Sequence, residues 1–121
     1  MTHIMLRILI VDDEVLVAYD LAQTVEDLGG VVIGPAHSLT AGLALVESEQ
    51  VDFALIDVNL GAERSTPIAE ALKRRGVPYV LISGYGRAHL APELQDAILL
   101  MKPCTQADVR DAIRTALPGR I

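Results

Sequence analysis

Short, nearly uninterrupted apolar runs alternate along the chain with longer stretches whose apolar residues recur every three or four positions. The runs cover residues 6–11, 31–33, 53–56 and 79–82, rich in β-branched side chains, and residues 97–101, less so but of similar length. Apolar residues on both faces of a short run predict parallel strands buried on both sides. Between residues 15 and 28, Leu21, Val25 and Leu28 form one helical face with acids opposite, and Gly29-Gly30 supplies the stop. Ser38 caps a second predicted helix, with Leu39, Leu43 and Val46 inward. Ser65-Thr66-Pro67 opens a third, which ends in Lys73-Arg74-Arg75-Gly76, basic where the helix dipole favours cations. Thr105 starts the last helix, striped by Val109, Ile113 and Leu117 before Pro118-Gly119. Between the fourth and fifth runs, Gly84-Tyr85-Gly86 is flexible and Pro92 interrupts the only stretch that could be helical, so the fourth helix is expected to be short or mobile. The order is (βα)5, an α/β doubly wound five-stranded parallel sheet, with no linker, repeat or low-complexity tract.

Composition narrows this to one packed domain. One domain over residues 1–121 is expected, with no output domain among them, and 51% hydrophobic with 21% charged residues suits a core rather than a disordered segment. A domain excised from a longer protein is the alternative to a single-domain chain, although the ending Leu117-Pro118-Gly119-Arg120-Ile121 has no linker character. One cysteine, Cys104, excludes an intramolecular disulfide and a cysteine-rich metal site. A net charge of -6, from 16 acidic and 10 basic residues, argues against a nucleic-acid partner. No apolar run approaches the ~18 residues of a membrane span. The first run goes straight into Asp12-Asp13-Glu14, unlike a cleavable signal, so a cytoplasmic protein without membrane insertion is expected. One Phe, three Tyr and no Trp argue against an aromatic platform for bases or sugars.

In an open parallel sheet, ligands sit beyond the carboxyl ends of the strands. Asp12 and Asp13 leave the first strand, Asp57 the third, Ser83 the fourth and Lys102-Pro103 the fifth; the second ends in Gly34-Pro35-Ala36, expected to contribute nothing. Crowded carboxylates raise the cost of ionising one another, and a hard cation such as Mg²⁺ resolves the conflict. Two of them on a cation leave Asp57 free to attack phosphorus. Lys102 then offers a point charge, Ser83 a hydroxyl, and the loop after Asp57 its N–H groups, to the new phosphoryl oxygens. The residues thus describe an aspartyl-phosphate site. Simpler readings exist for several of them alone. Asp12-Asp13-Glu14 also suits an acidic first helical turn, and Ser83 an ordinary loop. Lys102 is harder to dismiss, because a charge ending an apolar strand is costly without a partner. Cys104 reads as a small hydrophobe, His3, His37 and His89 lack ligand spacing, and Glu63 and Arg64 read as a solvated loop.

The pieces Ile8-Leu9-Ile10-Val11-Asp12-Asp13-Glu14, Leu55-Ile56-Asp57-Val58-Asn59-Leu60, Ser83-Gly84 and Lys102-Pro103, in this order and spacing, resemble a response-regulator receiver domain over essentially the whole chain. The resemblance implies the flavodoxin-like strand order 2-1-3-4-5, with Asp57 the phosphoacceptor. Metal ligation would fall to Asp12, Asp13, Asp57 and the backbone carbonyl of Asn59. It implies Ser83 as the switch hydroxyl, Lys102 as the phosphate-pairing lysine, and a cis bond before Pro103. Two departures stand out. Leu99 occupies the position where most receivers carry the aromatic switch, and Cys104 follows Lys-Pro where an aromatic is common. Residues 77–86, Val-Pro-Tyr-Val-Leu-Ile-Ser-Gly-Tyr-Gly, instead resemble the atypical branch with a Pro-Phe-x-Phe-Ala-Thr-Gly-Tyr-Gly type motif, as does Asp57 to Pro67. Tyr85 is therefore the expected reporter of phosphorylation. Asn59 and Tyr85 hold the two positions whose identity affects phosphoryl loss in the family.

The resemblance implies a phosphodonor, a sensor histidine kinase or a histidine phosphotransfer protein, docking on the first helix and the rim near Asp57. Candidate contacts are Glu14, Val15, Leu16, Val17, Pro103 and Cys104. Output by protein contact, a phosphate sink or relay intermediate, and an unphosphorylated pseudo-receiver adaptor are the alternatives within the family; a pseudo-receiver predicts an incomplete site, whereas every expected position is filled. A haloacid-dehalogenase type phosphatase is disfavoured, since Asn59 cannot exchange a proton as the second carboxylate of Asp-x-Asp does, and the nucleophile follows the wrong strand. No Gly-x-Gly-x-x-Gly follows the first strand, as a dinucleotide site requires.

Overall fold

The computed structural model describes residues 5–119, so His3 and the final Arg120-Ile121 of the tail read above lie outside the described residues. Five parallel strands form the sheet: β1 (Arg7–Val11), β2 (Val31–Ala36), β3 (Phe53–Asp57), β6 (Tyr79–Ser83) and β7 (Ile98–Met101). Their spatial order is β2-β1-β3-β6-β7, which is 2-1-3-4-5 when only these long strands are counted. A separate two-stranded hairpin, β4 (Asn59–Leu60) with β5 (Glu63–Arg64), follows β3. The helices are α1 (Val15–Asp27), α2 (Leu39–Ser48), α3 (Thr66–Arg74) and α4 (Gln106–Ala116).

Alternation along the central strands feeds two cores. Leu9, Val11, Ala54 and Ile56 face α2 and α3 through Val46, Ile68 and Leu72. Ile8, Ile10, Phe53 and Leu55 face α1 and α4 through Leu21, Val25, Val109 and Ile113. Every residue of β3 is buried, as its unbroken apolar run requires. Each large side chain fully withdrawn from water contributes about 1.5–3 kcal/mol, so the rim sits on a rigid floor. The caps follow the sequence: Ser38 Oγ accepts the Ala41 N–H (3.1 Å), and Thr105 and Asp108 form a reciprocal capping box on α4.

Three local features differ from the expectations. β2 does not stop at Ile33 but runs to Ala36, with a register shift against β1 between Leu9 and Val11 and Gly34 at φ 94°. The short helical connection expected between β6 and β7 takes the form of two single 3₁₀ turns, Arg87–His89 and Pro92–Leu94, rather than one. The connection is held by side chains, with Arg87 Nη1 donating to the Ala97 carbonyl (2.7 Å) and Gln95 Nε2 to those of Arg87 and Leu90 (3.0 and 2.9 Å). Glu63 and Arg64 are not loop residues but the second strand of the hairpin. Gly61, at φ 65°, starts its two-residue turn, where a primed turn favours glycine. The Lys102-Pro103 bond is cis, as the resemblance implied, and the Gly34-Pro35 bond is cis as well.

Candidate functional site

The parallel strands deliver their last residues to one edge, and that edge is acidic. Asp12, at the exit of β1, is fully buried. Its N–H donates to the Ala36 carbonyl (3.0 Å), its carbonyl accepts from His37 Nδ1 (2.9 Å), and its Oδ1 accepts the Glu14 N–H (2.9 Å). The end of β2 thus contributes after all: the extension to Ala36 and the following His37 clamp the Asp12 backbone. Asp57, 4% exposed at the end of β3, points Oδ2 at Lys102 Nζ (3.2 Å). Lys102, arriving from β7, also lies 3.1 Å from Glu14 Oε1 and 3.4 Å from Asp12 Oδ2. Asp13 is exposed and its Oδ2 accepts the Gly61 N–H at the hairpin tip (2.9 Å).

One ammonium therefore serves three carboxylates. Burial pushes Asp57 up to about 7, the Asp12 charge adds to the rise, and Lys102 only partly opposes it. Burial alone would lower Lys102, but its contacts with Glu14, Asp57 and Asp12 prevail, and it stays charged. Asp12 Oδ2 is buried without a hydrogen-bond partner. An orphaned carboxylate oxygen in a site too poor in positive charge is an unresolved cost that a cation removes. Carboxylate oxygens of Asp12, Asp13, Glu14 and Asp57 lie within 4.8 Å of one another, an all-oxygen set suited to a hard divalent ion such as Mg²⁺.

Ser83 is buried at the end of β6, next to β3, and its Oγ accepts the Tyr85 N–H (3.0 Å). Tyr85 is 59% exposed, its ring 5.4 Å from that of His89 and tilted by 50°. Asn59 opens the hairpin directly after the Asp57 turn, its N–H 3.4 Å from Asp57 Oδ1. Of the candidate partner contacts, Glu14, Val15, Leu16 and Pro103 are exposed and Val17 and Cys104 half-buried. Burial pushes the Cys104 thiol up, which keeps it protonated and consistent with a packing role. A groove of about 470 Å³ between α1 and the start of α4 is lined by Glu14, Val17, Asp20, Pro103 and Cys104 among others. Sequence reasoning passed over Tyr19, 60% exposed on the same helix, though an aromatic four residues after Val15 signals it. It read Arg64 as part of a solvated loop, whereas its Nη1 donates to the His89 carbonyl (2.7 Å).

The strand order 2-1-3-4-5 with an acidic edge and a lysine at its strand ends is the architecture of a receiver domain, and residues 8–114 match the response regulator receiver domain family, to which the chain belongs. Members of this family are signalling switches of two-component systems. The chain is 36% identical over 115 residues to the phyllosphere-induced regulator PhyR of Methylorubrum extorquens, covering 92% of this chain but 43% of that protein. It is 28% identical to the transcriptional regulatory protein PdtaR of Mycobacterium tuberculosis, covering 56% of it, so the chain spans about half the length of the curated relatives it matches. Among solved structures, SdrG from Sphingomonas melonis Fr1 superposes with a TM-score of 0.82 at 38% identity, covering 93% of this chain and 97% of that one. The PhyR-type relatives agree with the atypical branch that residues 77–86 resemble. Among the described residues no helix is long and apolar enough to cross a membrane.

Proposed function

We propose that this chain accepts a phosphoryl group on Asp57 from the phosphohistidine of a sensor histidine kinase or a histidine phosphotransfer protein, and signals through protein contacts in the cytoplasm. The observation that carries this reading is the buried Asp12–Asp57–Lys102 cluster, with its orphaned acid oxygen and its single shared ammonium. Asp57 Oδ attacks phosphorus, the phosphorus–nitrogen bond breaks, and the imidazole leaves with the electron pair. Hydrolysis later returns the carboxylate and inorganic phosphate. Lys102 already stands 3.2 Å from Asp57 and follows the charge onto the phosphoryl oxygens. Asp12, Asp13, Asp57 and the Asn59 carbonyl would hold Mg²⁺, which supplies charge neutralisation for a phosphoryl group among carboxylates.

Ser83 Oγ has one lone pair on the Tyr85 amide and a proton to donate to phosphate. A pull on Ser83 is therefore felt by the Tyr85 backbone, which makes Tyr85 the reporter in place of the aromatic absent at Leu99. The donor docks on the exposed first turn of α1 and on Pro103 and Cys104 across the groove.

Incubation with Mg²⁺ and acetyl phosphate, followed by intact mass measurement, tests the chemistry. A hydroxylamine-labile gain of one phosphoryl group in wild type, absent in Asp57→Asn and in EDTA, is expected. No gain from acetyl phosphate, no gain from a phosphohistidine donor and no beryllofluoride binding would together overturn the reading.

A further inference from the structure

The hairpin after Asp57 touches both the acidic edge and the Tyr85 segment, through residues that Ser83 does not involve. At its tip, the Gly61 N–H is held by Asp13 Oδ2 (2.9 Å). Along its length, Asn59 pairs with Arg64 and Leu60 with Glu63. Leu60, beside the turn, is buried, and the base is closed by the buried Ser65, which sends both its N–H and its Oγ to the Val58 carbonyl (2.9 and 3.2 Å). Arg64 then reaches out of the hairpin and donates from Nη1 to the carbonyl of His89 (2.7 Å), whose ring lies 5.4 Å from that of Tyr85 at a 50° tilt. A recess of about 150 Å³ separates the two elements, with Asn59 and Arg64 on one wall and Ser83, Tyr85 and His89 on the other.

We infer that Arg64 is a positioning residue that carries the state of the metal site to the Tyr85–His89 segment, separately from the Ser83 route. The inference rests on the metal reading above. Asp13 anchors the hairpin tip, and Asn59, whose carbonyl would be a ligand, is the strand partner of Arg64. A cation drawing on Asp13 and Asn59 loads the hairpin at two points. Because Asn59 and Arg64 are paired across the hairpin, a load on Asn59 reaches the Arg64 side chain and the carbonyl it grips. Ser83 answers instead to the phosphoryl group, through the Tyr85 N–H. The segment would thus integrate two inputs, the metal through Arg64 and phosphate through Ser83. The chain of contacts such coupling needs is contiguous from Asp13 through the hairpin to His89, and the exposed Tyr85 beside His89 is the element it would move.

Mg²⁺ titrations of ¹⁵N-labelled wild type, Arg64→Ala and Arg64→Lys, followed by amide shifts, test the strap. Arg64 is exposed, so neither substitution opens the core. In wild type, shifts are expected at Asp12, Asp13 and Gly61 and also at Tyr85, Gly86 and His89. In Arg64→Ala the first group moves and the second is lost; in Arg64→Lys, which keeps a donor, the second group partly returns. A Tyr85–His89 response that persists unchanged in Arg64→Ala overturns the strap and leaves the metal site standing. Unmoved Asp12, Asp13 and Gly61 amides in wild type overturn the metal reading, and the strap falls with it.

Discussion

Asp57 and Lys102 are the two side chains whose charge states the site controls most tightly. The folded-state acidity of Asp57 lies near 7 against 3.8 ordinarily, so the folded protein binds a proton more readily than the unfolded chain. Stability from this group is full below about pH 4 and is lost as pH rises towards 7. Asp57→Asn should remove that slope and stabilise the metal-free protein at pH 8 by about 2–4 kcal/mol, measured as urea unfolding in EDTA at several pH values. A variant no more stable than wild type at pH 8 would refute the strained carboxylate. Lys102→Met tests the other partner. Without the shared ammonium, the carboxylates should cost about 1–3 kcal/mol in EDTA and gain more from Mg²⁺ than wild type does, read as a larger rise in Tm. A Mg²⁺ response equal to that of wild type would show that the ammonium and the cation do not share one acidic site. Asp12, Asp13, Asp57, Ser83 and Lys102 were legible because strand ends in a parallel sheet converge by topology. Arg64 and His37 were not, because their partners, the His89 and Asp12 carbonyls, lie 25 residues away in sequence and carry no side-chain signature.

At the level of elements, apolar runs located the five long strands because burial on both faces leaves no other pattern. β2 was read too short, since Gly34-Pro35 looks like a terminator, yet an edge strand with a register shift absorbs both. The hairpin of Asn59–Leu60 with Glu63–Arg64 was missed because two-residue strands carry no periodicity; only Gly61 marked it. The weak fourth helix was legible from Gly84, Gly86 and Pro92, but not the Arg87 and Gln95 side chains that replace its backbone bonds. Gly34 offers a test of how far β2 matters to the site. Its φ of 94° disfavours any Cβ, which would also meet the Ala36 nitrogen at 2.7 Å and the Ile10 carbonyl at 3.3 Å. Gly34→Ala should destabilise the protein by about 1–3 kcal/mol and weaken Mg²⁺ binding, because the Ala36 carbonyl that holds Asp12 shifts with it. Denaturant unfolding with and without Mg²⁺ separates the two effects; an unchanged Mg²⁺ affinity would mean that Asp12 is placed by β1 alone.

Across the whole molecule, charge and apolar exposure divide the rim into two functions. The acidic edge suits a cation and phosphate chemistry but repels an anionic partner surface, so protein recognition requires another source of affinity. On the proposed reading the first turns of α1 would provide it: Leu16 is 81% exposed, Val15 64% and Tyr19 60%, beside the groove that runs to Pro103 and Cys104. Leu16 makes no contribution to the core from that position and lies beside exposed Val15 and Tyr19, an apolar patch that on the proposed reading would meet a partner's apolar surface. A small phosphodonor needs only the acidic edge, whereas a phosphohistidine protein needs both regions. Leu16→Glu should therefore lower the ratio of labelling by a phosphohistidine donor to labelling by acetyl phosphate by about tenfold or more, the equivalent of roughly 1.4 kcal/mol of docking energy. Parallel time courses with the two donors, read by intact mass, measure that ratio directly. A ratio that stays at the wild-type value would move the docking face away from α1 and leave the acidic edge as the whole recognition site.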